Sequence, residues 1–539
     1  MARSPLFRRM LQVAGISEVA ERRGIPSDQA VQLRDQHAEA VRGWTRRQVL
    51  GVGATALLAS TMSARDLQAA PKPTGLKAKI AILGGGLAGL VAADRLATAG
   101  IQATIYEATN RLGGRQKSLR NWFPGQVAEL GGELIDNLHK TMLGYANTFG
   151  LTLEDLGKAP GEESYFFGGV HRSPAEAVDE FRIFAKRAQV DFHASSGAPT
   201  AFAHNAADVD LDNLTLAAFL DKHASDLPLT RALLTEAYEA EYGLAAESQS
   251  ALGLILFVHF DRRSKFTPYG VFSDERYHVV EGNDAIASGI AAGLPGAVVT
   301  GARIVRLGRN ADGRYRIHLA GQKLPDIADA VICTLPFSVL RKSVVLEASL
   351  GLSAGKQFAI QNLSYGTNTK TMVGFDGRPW ANYGSKGAAY SDLTELQGCW
   401  ESNFSLAGPR SILTDYASGP RGAELGNRSL QPSVAAFLSD LDRVWPGASA
   451  AAHRDKGAIQ AVRAPWPIEP EQLGSYTGYA PGQFTTICGW EGTPEGRLKF
   501  GGEHADSFYS WQGFMEGACL SGLRTAEEIL ADVKAKILT

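Results

Sequence analysis

The sequence predicts an α/β fold in which a nucleotide-binding domain, built on a parallel sheet, is interleaved with an α+β second domain. Three observations carry this expectation. A strand–glycine turn–helix–strand run occupies Lys79 to Glu107. Strand patterns return far downstream, at Ala297 to Leu307 and Ala328 to Leu335. A last apolar helix face recurs from Met515 to Val533 at three- and four-residue steps. The chain has 539 residues, 45% hydrophobic and 20% charged, which is globular composition with room for two domains. With a net charge of −2, nothing suggests an electrostatic nucleic-acid binder. Four cysteines, at 333, 399, 488 and 519, are too far apart for metal-ligand spacing or a disulfide framework.

The first 70 residues read as an extension outside the fold. "TRRQVLGVGATALLASTM" (Thr45 to Met62) sets two arginines before an apolar run too short to span a bilayer, which needs about 20 residues. It reads as a signal peptide, and the Arg46–Arg47 pair makes it resemble a twin-arginine signal. Small residues near Ala64 or Ala69–Ala70 fit a cleavage site; an uncleaved amphipathic or anchoring helix is the alternative. A second pair, Arg8–Arg9, has no long apolar run behind it. Residues 1–44 are expected to be a small helical appendage.

After a linker, "PKPTGLK", the apolar run Lys79 to Leu83 suits a buried parallel strand. Gly84-x-Gly86-x-x-Gly89 follows, then helical spacing from Leu87 to Thr98, with Gly100 placed to end the helix. Ala103 to Tyr106 is the second strand, with Glu107 at its end. Gly84 permits the turn, Gly86 lets backbone N–H groups approach a pyrophosphate, and Gly89 lets helix and strand pack closely. Glu107 is placed to accept hydrogen bonds from a ribose hydroxyl. This pattern indicates a dinucleotide without choosing between NAD and FAD. "RLGGRQKSL" (Arg111 to Leu119) and "AELGGELID" (Ala128 to Asp136) add two glycine pairs, which allow close backbone approach to something flat or phosphorylated.

GxGxxG, an acid, RxGGR and a glycine pair at a strand end, in that order, resemble the flavin-containing amine oxidases, the group of monoamine, polyamine and L-amino-acid oxidases. The resemblance returns at "ADAVICTLPFSVL", "LSYGTNTKTMVGF", "GSYTGYAPGQ" and "GRLKFGGEHADSFYSWQGFMEGA", and so spans nearly everything after Lys79. It implies a Rossmann-like FAD-binding domain from segments 76–140, 269–348 and 464–536. Segments 141–268, mostly helical in pattern, and 349–463, a strand-and-helix mixture, would form the substrate domain. The FAD contacts it implies are Gly84, Gly86, Leu87, Ala88, Gly89, Glu107, Ala108, Gly113, Gly114, Arg115, Gly131, Gly132, Glu133, Leu134, Ile304, Gly502, Glu503, Gly513, Phe514 and Met515.

The same resemblance makes Tyr476 and Phe514 two walls of a substrate cage, with Phe514 standing where monoamine oxidases usually carry Tyr. Lys370, in a strand four residues after Gly366, matches a lysine that reaches the flavin through a water and assists the reaction with oxygen. Ser475 replaces the cysteine that bonds FAD in mammalian-type monoamine oxidases, so the FAD is expected to be non-covalent. Asp136 either faces a distal ammonium or makes a loop hydrogen bond. Trp466 and Trp511 are either further substrate contacts or core. Glu133–Leu134 stands where several L-amino-acid oxidases place a carboxylate-binding Arg, which tilts the expectation towards amines over α-amino acids.

The reaction expected is oxidation of a C–N bond in an amine, with O2 reduced to H2O2. The rivals are an L-amino-acid oxidase, a dehydrogenase passing electrons to a carrier, and a flavin-bound scaffold without catalysis. The signal implies a bacterial periplasmic or secreted protein, moved folded by the twin-arginine export machinery. Oligomeric state is left open, a homodimer among the options.

Overall fold

The computed structural model describes residues 5–42, 76–257, 275–294, 296–406 and 408–539; the signal expected at Arg46–Arg47 and the expected cleavage positions lie outside them. Ile80–Leu83 is the centre of a five-stranded parallel sheet. The strand order is Leu498–Phe500, Ala330–Cys333, Ile80–Leu83, Ala103–Tyr106, Val298–Val299. Both Ile80–Leu83 and Ala330–Cys333 are buried along their whole length, which is why they read as unbroken apolar runs rather than as alternation. The helix Leu87–Thr98 leaves this sheet and packs along the last helix, Met515–Lys534. A second, four-stranded sheet holds Ile304–Arg309 between Tyr315–Leu319 and Val345–Leu346.

The close packing depends on missing side chains. A Cβ on Gly89 would lie 2.1 Å from the carbonyl oxygen of Gly84, and one on Gly522 would lie 2.4 Å from that of Ala88. Neither obstacle is a flexible side chain. Gly89→Val should therefore destabilise the fold by about 3 kcal/mol, since overpacking must displace backbone. Thermal unfolding of the variant, with its flavin content, measures this.

The second structural unit is a seven-stranded sheet in the order Ala461–Pro465, Thr369–Phe375, Ser411–Ala417, Gly398–Glu401, Ser385–Ser391, Glu162–Phe167, Val170–His171. Segment 141–268 was expected to be mostly helical. It does supply the helices Pro174–Ala194, Ala206–Asn213, Leu216–Ala224 and Pro228–Tyr242, yet Glu162–Phe167 joins the sheet, parallel to Ser385–Ser391. The run of Tyr165, Phe166 and Phe167, closed by Gly168–Gly169, is strand chemistry that the surrounding helical pattern hides.

The N-terminus departs from expectation more sharply. Residues 5–42 form two helices, Pro5–Arg23 and Ser27–Arg42, and they are not an appendage. Leu6, Met10 and Ile16 are each 2% exposed and belong to the same apolar core as Phe181 and Leu233. Arg8 Nη2 lies 3.0 Å from Glu163, Arg9 pairs with the same carboxylate, and Lys386 Nζ approaches it at 2.8 Å. The arginine pair that had no apolar run behind it neutralises a buried acid on a strand. Among the described residues, no helix is long and apolar enough to cross a membrane.

Candidate active site

One cavity collects almost every residue singled out in the sequence. Gly84, Gly86, Leu87 and Ala88 line it from the first glycine turn, Glu107 and Ala108 from the second strand end, and Gly113, Gly114 and Arg115 from the first glycine pair. Gly131, Gly132, Glu133 and Leu134 come from the second pair, Ile304 from the four-stranded sheet, and Gly502, Glu503, Gly513, Phe514 and Met515 from the C-terminal motif. Lys370, Tyr476, Asp136 and Trp466 line it too. Gly89 does not reach the cavity; it serves the helix–strand contact described above.

Two helix starts meet at this cavity, and neither has a side-chain cap. Gly86 precedes Leu87–Thr98 and Phe514 precedes Met515–Lys534, in both cases without a side-chain hydrogen bond to the first turn. Gly513, at φ 88°, makes the turn into the second helix. Uncapped first-turn N–H groups and the positive dipole end make each start a receptor for an anion or a carbonyl oxygen. Between them the chain is firmly braced. Glu107 Oε2 accepts from the Gly85 N–H at 2.9 Å. Arg111 donates to the carbonyls of Leu112 at 2.8 Å and Gln116 at 2.9 Å, and to that of Gly114. Arg115 Nη1 joins Glu503 Oε1 at 2.9 Å and the Ser475 carbonyl at 2.7 Å, tying three distant motifs together. Glu503 Oε2 accepts from Thr477.

Lys370 is nearly buried, 7% exposed, and its ammonium donates to three protein oxygens. These are Glu133 Oε2 at 2.7 Å, the Gly131 carbonyl at 2.9 Å and the Glu129 carbonyl at 3.2 Å. Glu133 Oε1 accepts from Trp400 Nε1 at 2.9 Å. The acid in the "GGELID" loop is thus the counterion of Lys370. Nearby Glu129 is pushed up to about 8, by burial first. Tyr476 donates its hydroxyl proton to the Ala240 carbonyl at 2.7 Å, and its oxygen lies 2.6 Å from the Tyr416 hydroxyl.

Three candidates need refinement. Trp511 is not among the residues lining the cavity. It packs edge-on against His139, ring centres 4.4 Å apart, and against Phe514 at 5.4 Å, so it supports the Phe514 wall from behind. Trp466 lines the cavity but donates its indole N–H to the Leu130 carbonyl at 2.9 Å, and it shores up the glycine pair. Asp136 is 1% exposed; its Oδ1 accepts from the Glu275 N–H at 2.7 Å and its Oδ2 lies 3.3 Å from His139 Nε2. The loop hydrogen bond is the job the geometry shows for Asp136. Burial pushes His139 down to about 4, so its ring is neutral at pH 7.

Two lining aromatics escaped the sequence, Trp400 and Tyr416. Tyr416 is the cross-strand partner of Lys370 and of Gly398, two residues before Trp400, so the three side chains share one sheet face. Their ring centres are 5.3 Å apart, and Lys370 Nζ lies 5.5 Å from the centre of the Trp400 ring. The signal was period-2 alternation within each strand, but the pairing that joins them is non-local.

The family model for flavin containing amine oxidoreductases matches residues 87–530. The chain belongs to this family. A Bacillus subtilis (strain 168) protein, YobN, described as a candidate L-amino-acid oxidase, is 26% identical over 84% of this chain and 94% of its own length. An L-amino-acid oxidase of Vipera ammodytes ammodytes is 22% identical over 85% and 94%. Among solved structures, cyclohexylamine oxidase from Brevibacterium oxydans IH-35A aligns with a TM-score of 0.73 at 19% identity, covering 85% of this chain and 99% of its own. Putrescine oxidase bound to putrescine aligns at 0.70 and 20%, covering 84% and 99%. These likenesses show the fold.

The cofactor of this amine oxidoreductase is FAD, and the two uncapped helix starts, Glu107 and the open glycine backbones fit it. Leu87 and Ala88 would receive the pyrophosphate, Glu107 the ribose, Ile304 the adenine side, and Met515 a ring carbonyl. Ser475 cannot form a thioether; its hydroxyl bonds to Asn368 Oδ1. Denaturing the yellow enzyme should therefore release all its flavin through a protein-retaining filter.

Proposed function

We propose that the enzyme oxidises the C–N bond of a primary or secondary amine to an imine, which water converts to a carbonyl compound and ammonia or an amine, while O2 becomes H2O2. The observation that carries this reading is the meeting of Lys370, Tyr476 and Phe514 at the cavity lined by the two uncapped helix starts. When bound, FAD supplies the two-electron acceptor for the carbon beside nitrogen. The chain's own work is binding and orientation. Tyr476 and Phe514 offer flat walls, and with Trp400 and Tyr416 they desolvate the amine and favour its reactive neutral form. Lys370, held by Glu133, sets a cation where charge develops on oxygen as it is reduced.

An L-amino-acid oxidase is the second reading, favoured by the names of the relatives. Against it stands the engagement of the cationic groups that line the cavity among the described residues. Arg115 is bound to Glu503, Arg303 Nη1 to Glu471 at 3.0 Å, and Lys370 to Glu133. None is left with an open claim on a substrate carboxylate. Oxygen uptake and peroxide yield with paired amines and L-amino acids test this. Peroxide from amines supports it; turnover confined to amino acids, or reduction of dyes without oxygen uptake, contradicts it.

The Arg46–Arg47 segment supports export of the folded, FAD-loaded enzyme to the periplasm or beyond. The burial of Leu6 and Met10 favours helices 5–42 staying with the enzyme whether or not the chain is cut near residues 64–70. Cell fractionation with intact-mass analysis checks both points.

A further inference from the structure

The carboxyl group of Glu275 has no part in the arrangement described so far, and its chemistry is unusual. It is 3% exposed and lines both the active-site cavity and a smaller cavity beside it. Among the described residues, neither oxygen of its carboxyl group has a hydrogen-bond partner. A buried carboxyl group without a partner costs several kcal/mol in its charged form, so such groups are rare unless something else completes them. The backbone of Glu275 is also held at φ 40°, in the left-handed region, while its N–H donates to Asp136 Oδ1. Strain of this kind persists where surrounding structure fixes the direction of a side chain.

Among the described residues, the charges that act most on Glu275 come from four elements. Arg8 stands on the first helix, Asp136 in the glycine-pair loop, Glu241 on Pro228–Tyr242 and Glu163 on the strand Glu162–Phe167. Glu163 is compensated by Arg8, Arg9 and Lys386. Asp136 lies beside His139, which is neutral at pH 7. Burial first, then the acids, push the Glu275 carboxyl group well above the usual range although Arg8 opposes them.

We propose that Glu275 is a subsite for a second, distal cationic group of the substrate, which makes the enzyme selective for diamines or polyamines over monoamines of the same length. This rests on the amine-oxidising reading above. The reacting carbon sits at the Tyr476 and Phe514 end, and the far ammonium supplies the partner that Glu275 lacks. Binding of that cation ionises the acid and releases one proton, so dication affinity rises with pH.

The test uses the FAD-loaded enzyme with a series of n-alkylamines and matched α,ω-diamines, beside Glu275→Gln and Glu275→Asp. In the unaltered enzyme kcat/KM for the best diamine exceeds that of its monoamine by about tenfold or more. Glu275→Gln lowers this ratio about tenfold, through KM; Glu275→Asp restores part of it. A second readout is independent of turnover. A bis-quaternary alkane, which cannot be oxidised through a free amine, should perturb the flavin absorbance with an affinity that falls about tenfold in Glu275→Gln and loses its pH dependence. An unchanged diamine-to-monoamine ratio and an unchanged bis-quaternary affinity in Glu275→Gln overturn the subsite. If no amine reduces the flavin at all, the amine-oxidising reading itself fails. Flavin content and thermal unfolding of each variant report whether it has folded.

Discussion

Substituting Lys370 by methionine should slow reoxidation of the reduced enzyme by oxygen about 100-fold, while reduction of the flavin by amine changes far less. The reasoning runs through charge. Reduction of O2 builds negative charge, and a fixed cation in a water-poor site stabilises it more than the same cation in bulk water. Lys370 is such a cation, and its strand, Thr369–Phe375, is paired on both sides over most of its length. Glu133, the Gly131 carbonyl and the Glu129 carbonyl use all three of its protons. The contact to Glu129, at 3.2 Å, is the longest and exchanges most readily for another acceptor. Removing the lysine also strands Glu133 in a buried place, which costs about 3–5 kcal/mol when one partner of a buried pair is lost. The double variant Lys370→Met/Glu133→Gln separates the two effects. It should regain stability and still react slowly with oxygen. Stopped-flow mixing of the anaerobically reduced protein with oxygen measures the rate; unchanged reoxidation removes Lys370 from this role.

Glu163→Gln should cost about 3–5 kcal/mol of stability, a large share of what holds a domain together. The Glu163 side chain is 1% exposed and faces Arg8, Arg9 and Lys386. Glutamine leaves three cations around a neutral group and loosens the first helix from the sheet. The sign of the pH effect follows from the same cluster. Although burial opposes it, the surrounding cations hold the Glu163 carboxyl group well below the usual carboxylate range. Its stabilising contribution is therefore fully present above the ordinary carboxylate pKa of the unfolded chain. It is lost only as pH falls towards the depressed folded value. Acid unfolding of the unaltered enzyme should show this term and Glu163→Gln should lack it. Urea unfolding at neutral pH, followed by tryptophan and by flavin fluorescence, gives the magnitude.

Local chemistry explains which parts of the fold were legible in the sequence. The Leu87–Thr98 helix, its glycine turn and Glu107 lie within about 20 residues of one another, so one motif contains the whole geometry. The uncapped start of Met515–Lys534 was equally visible, because Gly513–Phe514 stands where a capping side chain belongs. Trp400 and Tyr416 were not, since only the pairing of three strands puts them beside Lys370. The first helix was misread for a related reason. Arg8–Arg9 followed by polar and apolar residues resembles any amphipathic segment, and its counterion, Glu163, lies about 155 residues away. Asp136 and Glu275 show the same limit. An acid in a loop does not reveal whether it braces backbone or faces a cavity until its neighbours are placed.

Anaerobic titration of the yellow, FAD-loaded enzyme with amines and L-amino acids tests the central claim most directly. Amines should bleach the flavin absorbance in a single phase, with admitted oxygen restoring it and yielding one peroxide per amine consumed. Bleaching by L-amino acids alone, or by no member of either series, would contradict it.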